Sequence, residues 1–191
     1  MKEIVFATNN PNKLKELREK VGSAFNILSL KDIGCNEELP ETQRTLNGNA
    51  IEKADYVAKK YNVDCFADDT GLEVNALNGE PGVYSARYAG PDCDPEKNMD
   101  LVLKRMNGVE DREASFSTVI ALIQAGEVST FEGTVEGNIR NERSGVEGFG
   151  YDPIFEPKGY KVTFAEMSSE EKNSISHRGR AVEKLINYLL S

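Results

Sequence analysis

The sequence predicts an α/β protein with a mixed sheet covered by helices, and three observations carry that expectation. Short apolar runs alternate with helical repeats through the first half of the chain, a long alternating hairpin occupies the middle, and the end is helical. At 191 residues the chain corresponds to one domain at roughly 150 residues per domain, so 1–191 is expected to form a single two-lobed unit. With 39% hydrophobic residues there is enough apolar material for that core without covalent staples.

Residues 3–7 (EIVFA) are a short apolar run before the turn-rich TNNPN and predict a buried strand. From Lys13, KLKELREKV repeats Leu14, Leu17 and Val21 at helical spacing, and FNILSL at 25–30 predicts a second strand. Residues 31–45 are polar, with Glu37, Glu38 and Glu41 around Pro40, and predict a solvated loop. Leu46, Ala50, Ala54, Val57 and Tyr61 recur every three or four positions, so 46–61 is expected to be an amphipathic helix. DCFADDTGLEVNAL (64–77) is expected to be a buried strand ending in two carboxylates, a Thr-Gly turn and a further strand, before an NGEPG loop. Asp94 followed by Pro95 predicts an N-cap and first helical residue, with Met99, Val102, Leu103 and Met106 as the buried stripe and Gly108 as the stop. Residues 114–139 alternate around Ala125 and Gly126 and predict the hairpin. GVEGFGYD (145–152) is a glycine-rich loop, PIF a short strand, and Ala181, Leu185, Ile186 and Leu189 line a terminal helix.

Composition excludes several classes of function. A net charge of −9 disfavours nucleic-acid polymers, whose affinity rests on Lys and Arg, while a small anion held by local cations stays open. Cys35, Cys65 and Cys93 are odd in number, far apart and without a C-x-x-C, which argues against disulfides or a cysteine zinc site and for a reducing compartment. No run approaches the ~20 apolar residues of a membrane helix, and Met1 leads into a strand with no leader pattern, so no membrane partner and a cytoplasmic protein are expected.

Four constellations could carry chemistry. In ATNNPNK, a helix start, the hydroxyl of Thr8, the amides of Asn9, Asn10 and Asn12 and the ammonium of Lys13 suit either a phosphate or a plain Asn-Pro helix cap. The chain has neither a G-x-x-x-x-G-K-[ST] nor a G-x-G-x-x-G string, so P-loop and dinucleotide sites fall. Asp68 and Asp69 in ADDTG, with Glu41, are hard oxygen donors that suit Mg²⁺, provided that a turn brings both aspartates to one face; a capped turn explains the pair equally well. EEKNSISHRG offers Lys172, the single histidine His177, and Arg178 as donors to a base or sugar, against a surface helix start; Phe149 offers a stacking face, against a core phenylalanine. Lys53 shares a helix face with Asn49 and, from the residues alone, is expected to be solvated. Together these features suit a nucleoside triphosphate with Mg²⁺, because the metal offsets part of the triphosphate charge on an acidic protein.

The ordered strings FATNNPNKLKEL, ELPETQRTLNGNAIEKA, FADDTGLEVNALNGEPGVYSARYAG, GFGYDPIF and EEKNSISHRGRA, from residue 4 to about 189, closely resemble the inosine triphosphate pyrophosphatase family. The resemblance implies hydrolysis of the non-standard purine nucleotides ITP, dITP and XTP to monophosphate and pyrophosphate. It further implies an elongated mixed sheet flanked by helices, a substrate cleft between two lobes, and a homodimer. The family's T-x-N-x-x-K pattern is met by Thr8, Asn10 and Lys13. By resemblance, Thr8, Asn9, Asn10, Pro11, Asn12 and Lys13 bind the triphosphate with Lys53 assisting. Glu41 and Asp69 hold Mg²⁺ with Asp68 nearby, and Asp69 is the proton acceptor, two duties that oppose each other because a metal lowers basicity. Thr70, Phe149, Gly150, Tyr151, Asp152, Lys172, His177 and Arg178 line the nucleoside. A Lys172 ammonium only donates, so it favours a 6-oxo over a 6-amino purine, which leaves the rejection of GTP unexplained. The alternatives are a pyrophosphatase for pyrimidine or other modified nucleotides, and a nucleotide sensor without turnover.

Overall fold

The computed structural model describes residues 2–21 and 25–191. Among these residues six strands form one sheet: β1 (Lys2–Phe6), β2 (Phe25–Leu28), β3 (Cys65–Val74), β4 (Glu113–Gln124), β5 (Glu127–Ile139) and β6 (Phe155–Pro157), in the order β2-β1-β3-β4-β5-β6. The sheet is mixed: β1 pairs in parallel with β2 and β3, whereas β5 and β6 are antiparallel. Among the described residues five α-helices accompany it: α1 (Pro11–Val21), α2 (Leu46–Tyr61), α3 (Pro95–Arg105), α4 (Ser169–Ile175) and α5 (His177–Leu190). The expected α/β class and mixed sheet are therefore what the chain adopts.

The chain divides into two compact units, one of residues 1–69, 118–133 and 178–191, the other of 70–117 and 134–177. In the first, strand alternation sorts two apolar layers. Ile4, Phe6, Phe66, Ile120 and Leu122 face Leu17 and Val21 of α1 and Ala181, Val182 and Leu185 of α5. Val5, Ala7, Cys65, Ala67, Val119, Ala121 and Ile123 face Ala50, Ala54 and Val57 of α2. Period two in the strands and 3.6 in the helices thus yield a helix layer on each side. The Phe6 and Phe66 rings stack with centroids 4.7 Å apart, which adds about 0.5–1.5 kcal/mol to the area that they bury. The second unit has one core, with Met99, Val102 and Met106 of α3 against Phe116, Phe155, Phe164 and Tyr151.

Several local expectations hold. Helix α2 spans the predicted residues, and Asp94 caps α3 by accepting from the N–H groups of Glu96 and Lys97. Ala125 and Gly126, both at positive φ, turn the β4–β5 hairpin. Three expectations are corrected. No turn interrupts ADDTG: β3 runs unbroken from Cys65 to Val74, because a β-branched threonine favours extended backbone. The strand at 25–30 ends at Leu28, and Lys31–Ile33 form a 3-10 turn. Pro153 and Ile154 belong to another 3-10 turn, so β6 starts at Phe155. The short helix Gly82–Arg87 had no apolar period to announce it.

Candidate active site

Strand β1 leads into α1 and on to β2 at one side, while β3 lies at its other side; ligands of open parallel sheets gather at the carboxyl ends of strands that part in this way. The register pairs Val5 with Cys65 and Phe6 with Phe66, so Asp68 and Asp69 lie on the stretch of β3 that runs past the end of β1. The segment 8–10 follows β1 directly. Asn10 caps α1, its Oδ1 accepting from the N–H groups of Asn12 and Lys13, and its own N–H donates to Thr8 Oγ1. Asn9 reaches the Glu37 carbonyl.

Because β3 does not turn, its two aspartates face opposite sides of the sheet, and each meets its own cations. Asp68, 2% exposed, shares the α1/α5 side with Phe66. Lys13 Nζ donates to its Oδ1 at 3.0 Å, and Arg178 Nε lies 3.4 Å from its Oδ2. Arg178 Nη1 also binds Glu16 Oε2 at 2.5 Å, so Lys13 and Glu16, one turn apart on α1, bracket an alternating row of charges. Burial opposes the charged form of Asp68, but Lys13, Arg178 and Lys53 outweigh it and hold the carboxyl well below the usual range. For Lys13, burial prevails over Asp68 and draws the ammonium below its ordinary value.

Asp69 lies on the α2 side. Asn49 Nδ2 donates to its Oδ2 at 3.0 Å, and Lys53 Nζ lies 3.2 Å from its Oδ1 and 2.6 Å from Glu41 Oε1. Burial drives the Asp69 carboxyl above its ordinary value, with Lys53 and Lys13 pulling against it and Glu41 adding to the rise. For Lys53 burial is overcome by Asp69, Glu41 and Asp68, which raise its ammonium. The acidic segment is not a simply solvated loop, since α2 holds it along one face. Gln43 N–H donates to Asn49, Thr42 N–H to Glu52, and Lys60 to Glu37.

In the second unit, Lys172 Nζ donates to Asp152 Oδ2 at 2.7 Å, with both side chains buried. The ammonium stands 4.9 Å from the centre of the Phe149 ring, a cation–π contact. The same Asp152 oxygen accepts from Phe149 N–H at 2.7 Å, so one carboxylate ties the glycine-rich turn to Lys172. The His177 ring stacks on Phe116 at 4.6 Å. Tyr151 lies in the core and its hydroxyl donates to the Ser85 carbonyl. Gly150 takes a positive φ, and Thr70 is half-buried on β3.

The first unit thus brings together Lys13, Glu41, Lys53, Asp68, Asp69 and Arg178; the second brings together Phe149, Asp152 and Lys172. Lys53 is 6% exposed, not solvated, because two carboxylates replace the water it gives up. His177 starts a helix but is buried at 3%, not a surface residue, because Phe116 covers its ring. Phe149 is half-buried rather than a core residue. Glu16 escaped notice because a helical glutamate is unremarkable until its partner, 162 residues away, is known. Asn49 was visible only as a neighbour of Lys53 on one helix face. All three cysteines are free, and among the described residues no three acidic, histidine or cysteine groups form a ready-made metal site. No helix among them is long and apolar enough to cross a membrane.

Residues 4–188 match the model of the Ham1 family. The chain belongs to that family. It is 52% identical over 187 residues to a dITP/XTP pyrophosphatase of Flavobacterium johnsoniae, covering 98% of this chain and 97% of the relative. It is 47% identical over 193 residues to the Bacillus subtilis protein of the same name, covering 99% and 98%. Among solved structures, a HAM1 protein from Coxiella burnetii superposes with a TM-score of 0.90 at 39% identity over 100% of this chain and 99% of that one. The Staphylococcus aureus Ham1 protein does so with 0.89 at 40% identity, over 98% of each. The Ham1 family assignment bears out the resemblance drawn from the motifs.

Proposed function

We propose that this Ham1 family member hydrolyses dITP, XTP and ITP to the nucleoside monophosphate and pyrophosphate in a Mg²⁺-dependent reaction. The observation that carries the proposal is the buried charge cluster around Asp68 and Asp69, and the names of its full-length relatives supply the substrate class. Three cations, Lys13, Lys53 and Arg178, stand among four carboxylates, Glu16, Glu41, Asp68 and Asp69. A bare triphosphate adds negative charge to that set, and an accompanying divalent cation offsets part of it. Glu41 and Asp69 already converge on one cation, the Lys53 ammonium, so hard oxygen donors are directed at a cationic position. Mg²⁺ uses one or two carboxylates and fills its other positions with water and phosphate, so these donors fit it without a complete protein cage. Bound by Glu41 and Asp69, with Asp68 directed to the other face of β3 and paired with Lys13 and Arg178, it would supply charge neutralisation to the triphosphate.

Of the two adjacent aspartates, Asp69 has its proton affinity raised by burial, which offsets part of the basicity that a bound Mg²⁺ would remove, whereas Lys13, Arg178 and Lys53 hold Asp68 low. Asp69 orients a water and takes its proton as the water oxygen bonds to the α-phosphorus and the bond to the bridging oxygen breaks. Lys13, with the cap at Thr8, Asn9, Asn10, Pro11 and Asn12, and with Lys53 and Arg178, neutralises charge on the departing pyrophosphate. Lys172 donates to a 6-oxo purine, Phe149 offers its ring face, and Thr70, Gly150, Tyr151, Asp152 and His177 complete the nucleoside side. A homodimer in the cytoplasm is part of the same proposal.

The test is to incubate the protein with Mg²⁺ and dITP, XTP, ITP, GTP, ATP or dUTP and to identify the inorganic product. Pyrophosphate from the first three is expected; orthophosphate would reject attack at the α-phosphorus, and preferential turnover of dUTP would reassign the substrate class. Asp69→Asn is expected to lower kcat by about 10²–10⁴-fold while nucleotide binding persists. Turnover equal to that of the unaltered protein would remove Asp69 from the role of base.

A further inference from the structure

We propose that Asn49 is a positioning residue for Asp69, locking the carboxylate in one orientation and tying it to the segment that carries Glu41. The inference rests on the role just given to Asp69. Asn49 sits in α2, four residues before Lys53, so both side chains leave the same helix face towards β3. It is fully buried, and a buried carboxamide is tolerated when its donor and acceptor ends are both satisfied. Chemistry sets which end faces which partner. The backbone N–H of Gln43 can only donate, and it meets Asn49 Oδ1 at 2.9 Å, so the NH₂ end is the one that faces Asp69 Oδ2, at 3.0 Å.

The two oxygens of Asp69 are thereby claimed by different donors, Oδ2 by Asn49 and Oδ1 by Lys53. Rotating the carboxylate breaks both bonds, so its plane is held. Through its other end the same carboxamide grips Gln43, two residues beyond Glu41, whose carboxylate meets the same lysine as Asp69. Lys53 carries charge to the pair, and Asn49 supplies the direction that a flexible ammonium does not impose. A base displaced by about 1 Å can lose on the order of 10²-fold in rate, so this device acts on kcat.

Asn49→Asp and Asn49→Leu separate positioning from mere anchoring of the segment. The aspartate keeps an acceptor for Gln43 N–H but has no NH₂ for Asp69; the leucine keeps the volume and loses both bonds. Positioning predicts that both variants lose about 10–100-fold in kcat for pyrophosphate release from XTP. KM and the XTP-induced rise in melting temperature should stay close to those of the unaltered protein. Anchoring alone predicts that Asn49→Leu keeps its kcat and raises KM, an outcome that overturns the inference, as does a loss confined to the aspartate, where a second carboxylate beside Asp69 acts by its charge. If Asn49→Leu does not fold, Asn49→Ser, too short to reach Asp69, replaces it with the same expectations. Failure of the unaltered protein to release pyrophosphate would defeat the proposed function itself; turnover that persists in the Asn49 variants would defeat only this inference.

Discussion

Lys172 and Asp152 form a buried ion pair of the second unit, and its energetics differ from those of the many exposed pairs. An exposed pair such as Lys158 with Glu136 contributes about 0–1 kcal/mol, because water and salt screen it. Removing one member of a buried pair takes a close counter-charge from the other. Lys172→Met is therefore expected to destabilise the protein by roughly 3–5 kcal/mol, and adding Asp152→Asn should recover a large part of that loss. Urea unfolding of the single and double variants checks both statements; equal stability of the two would show that the carboxylate does not need its lysine. None of this pairing was legible from the residues alone. Lys172 and Asp152 are 20 positions apart in segments of different structure, and only folding shows that one oxygen serves both the ammonium and the Phe149 N–H.

At the scale of elements, the glycine-rich turn and the hairpin carry opposite expectations. Gly148 has a φ of +75°, and a Cβ there would overlap the Asp152 carboxylate. Gly148→Ala is thus expected to cost more than about 1 kcal/mol and to raise KM for XTP, since the same carboxylate holds Lys172 and the Phe149 backbone. A melting curve and an XTP saturation curve measure the two effects, and an alanine variant with an unchanged KM would detach this turn from base recognition. Ala125 holds a φ of 50° in the first position of the two-residue hairpin turn, where asparagine is favoured. Ala125→Asn is expected to stabilise by a few tenths to about 1 kcal/mol, read as a higher urea midpoint at unchanged slope. These elements were legible: periodicity and turn residues name α2, α3 and the hairpin. The course of β3 was not, because ADDTG suits a turn as well as a strand until β1 pairs with the residues before it.

At the scale of the whole molecule, acid should unfold this protein through its carboxylates. The bonds from Ser29 to Asp32, from Lys60 and Tyr56 to Glu37, from Thr42 to Glu52, from Thr163 to Glu166 and from Ser168 to Glu171 hold those groups below their ordinary values. Asp68, despite burial, is held low by Lys13, Arg178 and Lys53. A group lowered by folding contributes stability that is present above its unfolded value, about 4, and is lost as pH falls through the folded value. Asp69, raised chiefly by burial, acts in the opposite sense, and one such group does not offset the others. The urea midpoint is expected to hold between about pH 7 and 5 and to drop below about 4.5; a midpoint that rises on acidification would contradict this assignment. The sequence by itself determined the class of fold and most helix positions, and it offered a set of candidates whose chemistry suits a triphosphate, since periodicity, caps and residue chemistry are local properties. Only the tertiary structure decided that Asp68 and Asp69 face opposite sides of one strand, that Lys53 and His177 are buried, and that Asn49 and Glu16 hold charged partners. Those facts depend on which distant segments share a face of the sheet, and side-chain environment is set by that packing rather than by neighbours along the chain.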